Sequence, residues 1–263
     1  MEISGRTVLL TGATGGLGSV IARDMSRAGA QLVLSGRRTD VLERLASELD
    51  ARVVTADLSE PSDVDRLVEE AGAIDILIAN AGLPGSGRLL DLSTDEIDRV
   101  LEVNLRAPIV LTRALAPGMA RRGGGQIALI SSLSGKAATP GTSIYNSSKF
   151  GLRGFALAMR QELRRARVGV SLVSPGFISE AGMFADSGVK LPPGMGTVSP
   201  ERVVRCVRRA IDRNRAEIDV GSVGVLAGTR IAYLAPELAA RVSARLGAGA
   251  VADQIAKGQA EKR

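Results

Sequence analysis

Seven short runs of apolar and β-branched residues recur along the chain, and segments of helix length separate them. The runs are TVLLT, QLVLS, RVVTA, IDILIAN, QIALISS, VGVSLVS and EIDVG, and their length and composition are typical of β-strands. Helices are expected between them, as at residues 19–28, 40–49 and Pro61–Ala71, and over longer stretches at 94–122 and 143–167. Strict alternation of strand and helix, joined by right-handed crossovers, predicts an α/β fold. The expected architecture is one doubly wound parallel sheet with helices on both faces.

The composition excludes several kinds of site. The chain has no histidine and a single cysteine, Cys206, so it lacks the usual zinc ligands and cannot form an intrachain disulfide. Serine–histidine and cysteine–histidine nucleophiles are excluded for the same reason. We therefore expect no metal site.

The formal net charge of +6 comes mainly from arginine and raises the question of a nucleic-acid partner. In PERVVRCVRRAIDRNR, residues 200–215, the apolar side chains form one helical stripe. Arg202, Arg205 and Arg209 lie away from this stripe, as on the solvated face of an amphipathic helix. Aromatic residues for base stacking are not interleaved with them, so we expect no nucleic-acid partner.

The sequence does not suggest membrane insertion or export. No uncharged apolar run approaches the roughly 18 residues that a membrane helix needs, and the N-terminal segment lacks the pattern of a signal peptide. We expect a protein with no membrane span and a cytoplasmic location.

Glycines cluster directly after the first predicted strand, in TGATGGLG. Gly12, Gly16 and Gly18 are spaced G-x-x-x-G-x-G at a turn from strand to helix. Absent side chains there let the backbone approach a pyrophosphate, and the helix N-terminus supplies N–H donors and positive potential. A tight turn alone would also use glycine, but the position after the first strand of an alternating chain favours a phosphate-binding loop.

Tyr145 and Lys149 stand four residues apart in SIYNSSKFG, a spacing that places both side chains on one face of a helix. Taken alone, such a pair is usually part of a solvated helix face. A phenol has an unperturbed pKa of about 10. An ammonium at about 4 Å and an effective dielectric of about 20 attracts a phenolate by on the order of 4 kcal/mol, before desolvation opposes the effect. The pair therefore predicts a lowered phenol pKa.

Taken together, these motifs resemble the short-chain dehydrogenase/reductase family in its single-domain form. The resemblance runs from Thr7 to about Gly221 and rests on an ordered set of motifs. In chain order these are TGATGGLG, NAG at residues 80–82, Asn104 in VNL, Ser132 at the end of the fifth strand, YNSSK at 145–149 and SPG at 174–176. The resemblance implies hydride transfer between a nicotinamide dinucleotide and a carbonyl or alcohol substrate.

The resemblance also implies a role for each catalytic residue. Tyr145 would be the general acid or base, and Lys149 would tune its pKa and hold the nicotinamide ribose. Ser132 would hold the substrate oxygen, and Asn104 would help to order a water chain for proton supply. Ser132 is preferred to Ser131 because the family serine precedes its tyrosine by thirteen positions. The implied cofactor contacts are Gly12, Thr14, Gly15, Gly16, Leu17, Gly18, Arg37, Asp57, Leu58, Asn80, Ala81, Gly82, Tyr145, Lys149, Pro175, Gly176 and Ile178.

The end of the second predicted strand bears on the choice of cofactor. Gly36 stands where NAD-dependent members of the family carry an acidic residue that binds the ribose 2′-hydroxyl. Arg37 follows, and a guanidinium can bind a 2′-phosphate through charge-assisted hydrogen bonds. Arg37 and Arg38 could instead form only a polar turn. Because Gly15 occupies the place of a second basic residue found in some relatives, Arg37, with or without Arg38, would act alone. We expect NADP(H), with NAD(H) as the alternative.

Two further positions are open at the level of sequence. Asp57 in ADLS matches the family aspartate that hydrogen-bonds the adenine amino group, but it could equally cap the following helix. Ser179 stands where the family often has a threonine near the nicotinamide amide. Its hydroxyl could serve in the same way.

The composition shows no break that would divide residues 1–263, so we expect a single domain that contains both the cofactor site and the catalytic site. Residues 177–198, rich in glycine and proline, are expected to form a substrate-binding loop. Residues 222–263 are expected to form a C-terminal helical extension. Apolar side chains in the loop indicate an apolar substrate; they are Met183, Phe184, Leu191 and Met195.

The expected function is therefore that of an NADP(H)-dependent oxidoreductase acting on a small carbonyl or alcohol. An NAD-dependent alcohol dehydrogenase and a dinucleotide-binding regulator without turnover are the alternatives. In the family the helices that carry Asn104 and Tyr145 pair across two-fold axes, so we also expect a homodimer or homotetramer.

Overall fold

Seven strands form a single sheet close to where the sequence predicts them. The computed structural model describes residues 1–180, 182–185, 189, 195–245, 254 and 256–259. The strands are β1 (Thr7–Thr11), β2 (Gln31–Gly36), β3 (Arg52–Thr55), β4 (Ile76–Ala79), β5 (Gly125–Ile130), β6 (Val168–Pro175) and β7 (Glu217–Val220). They lie in the order β3-β2-β1-β4-β5-β6-β7, and every neighbouring pair is parallel. The predicted parallel sheet is confirmed.

Helices cover both faces of this sheet. They are α1 (Gly16–Arg27), α2 (Thr39–Leu49), α3 (Pro61–Ala71), α4 (Thr94–Leu101), α5 (Ala107–Arg121), α6 (Ser143–Glu162), α7 (Pro200–Asp212), α8 (Val223–Leu234) and α9 (Pro236–Arg245). Strand side chains alternate between two cores: Val8 and Leu10 pack with α1, α2 and α7, while Leu9 packs with α3, α5 and α6. This period-two alternation into two apolar layers is the doubly wound arrangement that the sequence predicts.

The long helical stretch predicted at 94–122 is divided by a wider turn. Residues Glu102–Arg106 are π-helical and connect α4 to α5. Pro108, at the start of α5, has no N–H group and cannot donate the usual helical hydrogen bond to the carbonyl of Asn104. The missing bond gives a physical reason for the wider turn, and turns of this kind often occur at functional sites.

The predicted substrate-binding loop and C-terminal extension are described in part. Ile178 and Val198 form an isolated parallel bridge, so the two ends of the loop lie together. Leu191 lies outside the described residues. The extension begins with α8 and α9, and residues 254 and 256–259 are also described. Within the described parts of the chain, no helix is long and apolar enough to cross a membrane.

The ends of β1 and β4 are joined at the point where the strand order reverses direction. The Thr11 hydroxyl accepts hydrogen bonds from the backbone N–H groups of Asn80 and Ala81, both at 3.2 Å. The Asn80 side chain donates in return to the carbonyls of Thr11 and Gly12, also at 3.2 Å. In doubly wound sheets, ligands bind in the crevice at this switch point.

Gly12 is needed at this crevice for two reasons. Its φ of +66° lies in the left-handed region, and a Cβ added there would lie 2.7 Å from the Ala81 Cα. Gly5 has a similar φ of +72°, but a Cβ there would meet nothing within 4 Å. The two glycines share a strained conformation and differ in the close approach of backbone.

We predict that Gly12→Ala destabilises the protein more than Gly5→Ala. The left-handed conformation should cost each variant about 1–2 kcal/mol, and the contact with Ala81 should cost Gly12→Ala about 1–3 kcal/mol more. Urea unfolding of both variants measures the difference. Equal losses would show that the approach of the β1 and β4 loops does not require glycine.

Candidate active site

One cavity of about 1730 Å³ opens at the carboxyl ends of the strands. It is lined by the glycine loop after β1, the turn after β2, the segments after β3 and β4, and the ends of β5 and β6. All the described site residues predicted from the sequence line this cavity except Asn104 and Ser179, whose hydroxyl donates to the Val198 carbonyl at 3.3 Å. Leu58, Pro175, Gly176 and Ile178 are among the lining residues, so the structure brings the whole predicted cofactor set to one place.

The glycine loop presents an uncapped helix N-terminus to the cavity. The N-cap of α1 is Gly15, which has no side chain to accept a hydrogen bond, and the first turn carries no acidic residue. By contrast, Ser93 and Glu96 form a capping box at the start of α4. The free N–H groups and the helix dipole at α1 therefore suit an anionic group such as a pyrophosphate. Gly18 must also lack a side chain, because a Cβ there would lie 2.1 Å from the Gly12 carbonyl oxygen.

The turn after β2 places two arginines on the rim of the cavity. Arg37 lies beside Asp57, with 3.6 Å between Nη1 and Oδ2. Arg38 folds back over the glycine loop and donates from Nη2 to the carbonyl of Thr14. Arg37 is thus the better placed of the two to meet a phosphate, although it already has a carboxylate partner.

Asp57 does not cap α3, whose N-cap is Glu60. Its Oδ1 accepts from the Ser59 backbone N–H at 3.0 Å and from the Ser59 hydroxyl at 2.7 Å, which stabilises the turn before that helix. Burial opposes ionisation, but the two bonds from Ser59 and the charge of Arg37 outweigh it, so the pKa of Asp57 is lowered. An ionised carboxylate on the cavity wall can accept a hydrogen bond from an amino group.

Tyr145, Lys149 and Ser132 meet at the other end of the cavity. Lys149 is buried, with 3% of its surface exposed. Its Nζ donates to the Ile130 carbonyl at 3.1 Å and lies 5.6 Å from the centre of the Tyr145 ring. The Ser132 hydroxyl interacts with the Tyr145 hydroxyl, whereas the Ser131 hydroxyl points away and donates to the Lys149 carbonyl at 3.4 Å.

Burial dominates the electrostatics of this pair. It raises the pKa of Tyr145, and the hydrogen bond from Ser132 offsets the rise only in part. It lowers the pKa of Lys149 to about 8. The lowered phenol pKa predicted from the sequence is therefore wrong for the chain by itself. Lys149 is buried and Tyr145 is partly buried, so both charged forms lose hydration, and the attraction between them does not compensate.

Asn104 does not line the cavity, but its side chain holds together two segments that do. It is fully buried in the π-helical turn, and its Oδ1 accepts from the Leu83 N–H at 2.7 Å. Its Nδ2 donates to the Leu83 carbonyl at 2.9 Å and to the Ser148 hydroxyl at 3.3 Å. The amide thus joins the loop after β4 to α6 and holds a positioning role; its part in proton supply stays a prediction.

Sequence reasoning missed a partly buried cluster of charged side chains that contacts the catalytic helix α6. The Lys136 Nζ lies 2.6 Å from Asp219 Oδ1 and 3.1 Å from Glu217 Oε2, and the Arg153 Nε lies 2.8 Å from Glu217 Oε1. These pairs join the segment after Ser132 and the catalytic helix α6 to β7. The sequence did contain a signal for this cluster. Glu217 and Asp219 stand two positions apart in the short strand EIDV, so both side chains must lie on the same face of the sheet.

Sequence reasoning also missed the C-terminal wall of the cavity. Side chains of α8 and α9 line it, and so does Gln259. The Ser86 hydroxyl donates to Gln259 Oε1 at 2.7 Å, and Gln259 Nε2 donates to the Met183 carbonyl at 2.8 Å. No sequence motif marks these contacts, because they join segments that are distant along the chain.

We predict that the stability difference between the wild type and Lys149→Met depends on pH. The pKa of Lys149 is about 8 when folded and 10.5 as a free group, so the unfolded chain binds more protons between these values. The penalty for burying the ammonium is complete below pH 8 and declines as pH rises toward 10.5. From pH 7 to pH 9.5 the wild type should gain about 2 kcal/mol relative to the variant.

Denaturant unfolding of both proteins across this range measures the effect. The Tyr145 phenol has a raised pKa and so stays protonated over most of the range. Parallel stability curves for the two proteins would contradict a lowered pKa for Lys149.

Comparison with known proteins agrees with this geometry. Residues 6–190 match the family model described as short chain dehydrogenase. The chain is 37% identical over 227 residues to a ketoacyl reductase, HetN, of Nostoc sp., covering 83% of this chain and 79% of that protein. It is 34% identical over 258 residues to a dehydrogenase/reductase SDR family protein 7-like of Anopheles gambiae, covering 90% and 81%.

A solved structure gives the same result. A short chain dehydrogenase/reductase family protein superposes with a TM-score of 0.78 at 30% identity, covering 84% of this chain and 97% of the other. The family match, the parallel sheet and the cavity at its switch point agree with one another. The chain belongs to the short-chain dehydrogenase/reductase family and is an oxidoreductase that uses a nicotinamide dinucleotide.

Proposed function

We propose that the protein is an NADP(H)-dependent reductase of apolar carbonyl compounds, with Tyr145 as the general acid. The observation that carries this proposal is the meeting of Tyr145, Ser132 and Lys149 in a cavity that also contains an uncapped, glycine-rich helix N-terminus. One end suits a dinucleotide phosphate and the other offers a proton donor. The relative named as a ketoacyl reductase supports reduction of a carbonyl group.

The chain's own groups would handle the proton and the substrate oxygen. NADPH, when bound, would supply the hydride to the carbonyl carbon. The Tyr145 hydroxyl would donate its proton to the carbonyl oxygen, giving the alcohol, and the Ser132 hydroxyl would hold the same oxygen by a hydrogen bond. A raised pKa keeps the phenol protonated at neutral pH, which suits an acid. Lys149, with a pKa of about 8, is mostly charged at neutral pH and would hold the ribose.

The choice of NADP(H) rests on the turn after β2. Gly36 offers no carboxylate to a ribose 2′-hydroxyl, and the Arg37 guanidinium is about half exposed on the cavity rim. A carboxylate introduced at position 36 would also be crowded, because a Cβ there would lie 3.1 Å from the Thr14 hydroxyl. NAD(H) is the second candidate, because Arg37 already has Asp57 as a partner.

The apolar substrate is proposed from the segment after β6. Phe177 and Phe184 have ring centres 4.8 Å apart, and both line the cavity with Met183 and Met195. A homodimer or homotetramer and a cytoplasmic location stay predictions. Partly buried side chains on α6, such as Phe155, Leu157 and Met159, are available to such an assembly.

We predict that Tyr145→Phe lowers turnover of a reduced carbonyl substrate by about 10²–10⁴-fold, because the change removes only the transferable proton. NADPH affinity and thermal stability should change little. Tyr233→Phe is the matched control, since Tyr233 is the other tyrosine of the chain, is 53% exposed and does not line the cavity.

Steady-state turnover and NADPH dissociation constants of the three proteins make this test. Turnover of Tyr145→Phe within tenfold of the wild type would show that the proton comes from another group. Tight NADPH binding with no turnover of any carbonyl by the wild type would favour the alternative of a dinucleotide-binding regulator.

We predict that Arg37→Ala weakens NADPH binding by on the order of tenfold to a hundredfold and leaves NADH binding nearly unchanged. One charge-assisted contact to the 2′-phosphate contributes about 1.5–3 kcal/mol. High salt should reduce the preference, because the guanidinium lies at the surface.

Arg44→Ala is the control, because Arg44 is an exposed arginine on α2 that pairs with Asp40. Dissociation constants of both cofactors for the three proteins decide the matter. Equal affinity of the wild type for NADH and NADPH would assign the enzyme to NAD.

A further inference from the structure

The C-terminal hairpin, defined here as α8 and α9 (residues 223–245), carries an unusual number of exposed apolar side chains. Large hydrophobic residues more than 40% exposed on it are Val223, Ile231, Tyr233, Leu234, Leu238 and Val242. Several exposed apolar side chains on one element commonly mark an interaction or ligand site. The hairpin lies beyond the residues 6–190 that match the family model, so the family match assigns it no role.

The exposed residues of the hairpin fall into two groups. Ile231, Leu238 and Val242 line the same cavity as Tyr145. Val223 and Leu234, although more exposed, at 85% and 80%, do not line it. The hairpin therefore has one side that continues the active-site cavity and another that faces away from it.

The cavity side of the hairpin is apolar along its length. None of its described charged residues, Arg230, Glu237, Arg241 and Arg245, lines the cavity. Thr229 lines it, but its hydroxyl donates to the Val225 carbonyl at 2.8 Å within the helix. A ligand part lying here would meet no charged partner on the hairpin, so it must be uncharged and apolar.

The cavity also leaves room along α8 between the larger side chains. Gly224, Gly228 and Ala232, spaced four residues apart, all line it. A Cβ added at Gly228 would meet nothing within 4 Å. The aromatic and methionine side chains of the segment after β6 line the same cavity. The space is lined by apolar groups and belongs to the same cavity as Tyr145 and Ser132.

We propose that the hairpin binds the aliphatic chain of the carbonyl substrate. The carbonyl group would lie at Tyr145 and Ser132, and an unbranched hydrocarbon chain would extend along α8 toward Leu238 and Val242. The proposal rests on the proposed function for its reactive end. It adds a substrate class, carbonyl compounds with an alkyl chain, and a binding site for that chain.

Affinity for a homologous series of 2-alkanones tests the chain site without relying on turnover. Dissociation constants from 2-pentanone to 2-decanone would be measured by titration calorimetry on protein saturated with NADP⁺, where no reduction occurs, and repeated without cofactor. Each methylene buried against the hairpin should tighten binding by about fourfold at most. The whole series should then span on the order of a hundredfold or more.

Two variants and one control locate the effect. Leu238→Asp places a charge in the chain site and should flatten the dependence on chain length. Gly228→Leu fills the space beside α8 and should weaken the longest ketones most. Leu234→Asp introduces the same charge on the other side of the hairpin and should keep the wild-type dependence.

The outcomes separate this proposal from the proposed function. Ketones that bind with the expected dependence but are never reduced with NADPH would support the chain site and contradict the reductase. Short ketones that are reduced while affinity stays independent of length would overturn the chain site alone. Equal effects of Leu234→Asp and Leu238→Asp would also overturn it, because the hairpin would then act through its outer side, as in docking to a lipid surface or a second copy.

Discussion

The hydrogen bonds between the ends of β1 and β4 are the constraint on which the site depends. Four of them join Thr11 and Gly12 to Asn80 and Ala81, and they fix the crevice where the strand order reverses. The loop after β4 is then held from its other side, since Asn104 binds both backbone groups of Leu83 and reaches Ser148 on α6. These hydrogen bonds fix the position of the glycine loop relative to the catalytic helix α6, and both border a single cavity.

Desolvation, rather than the attraction between opposite charges, determines the ionisation of the catalytic pair, Tyr145 and Lys149. Asp57 and Glu217 are also partly buried, yet their pKa values are lowered, because each accepts hydrogen bonds from Ser59 or from Arg153 and Lys136. Tyr145 has one such partner, Ser132, and its pKa is raised. Because so few hydrogen bonds stabilise the charged phenolate, desolvation by burial determines the direction of its pKa shift. The result is a phenol held in its protonated form, as an acid for carbonyl reduction requires.

The fold and the ends of the strands were predictable from the sequence because they depend on local periodicity. The glycine loop, Ser132 and Tyr145 with Lys149 were found through ordered motifs and a family resemblance. The pKa directions were not predictable, because a spacing of four residues gives proximity but says nothing of burial. The Lys136 cluster, the Gln259 contacts and the hairpin wall arise from tertiary packing between distant segments, and no local pattern encodes them. Within the long helical stretch predicted at 94–122, only Pro108 indicated that the helix would be divided.

The most direct test of this account is the titration of the Tyr145 phenol itself. The chain has two tyrosines and no tryptophan, so in a Tyr233→Phe background the near-ultraviolet phenolate absorbance reports Tyr145 alone. If desolvation sets the ionisation of Tyr145, this absorbance rises with a midpoint above the ordinary value of 10.0 in the cofactor-free folded protein. A midpoint below that value would show that the Lys149 charge outweighs burial, and it would contradict the assignment of Tyr145 as a protonated acid set by desolvation.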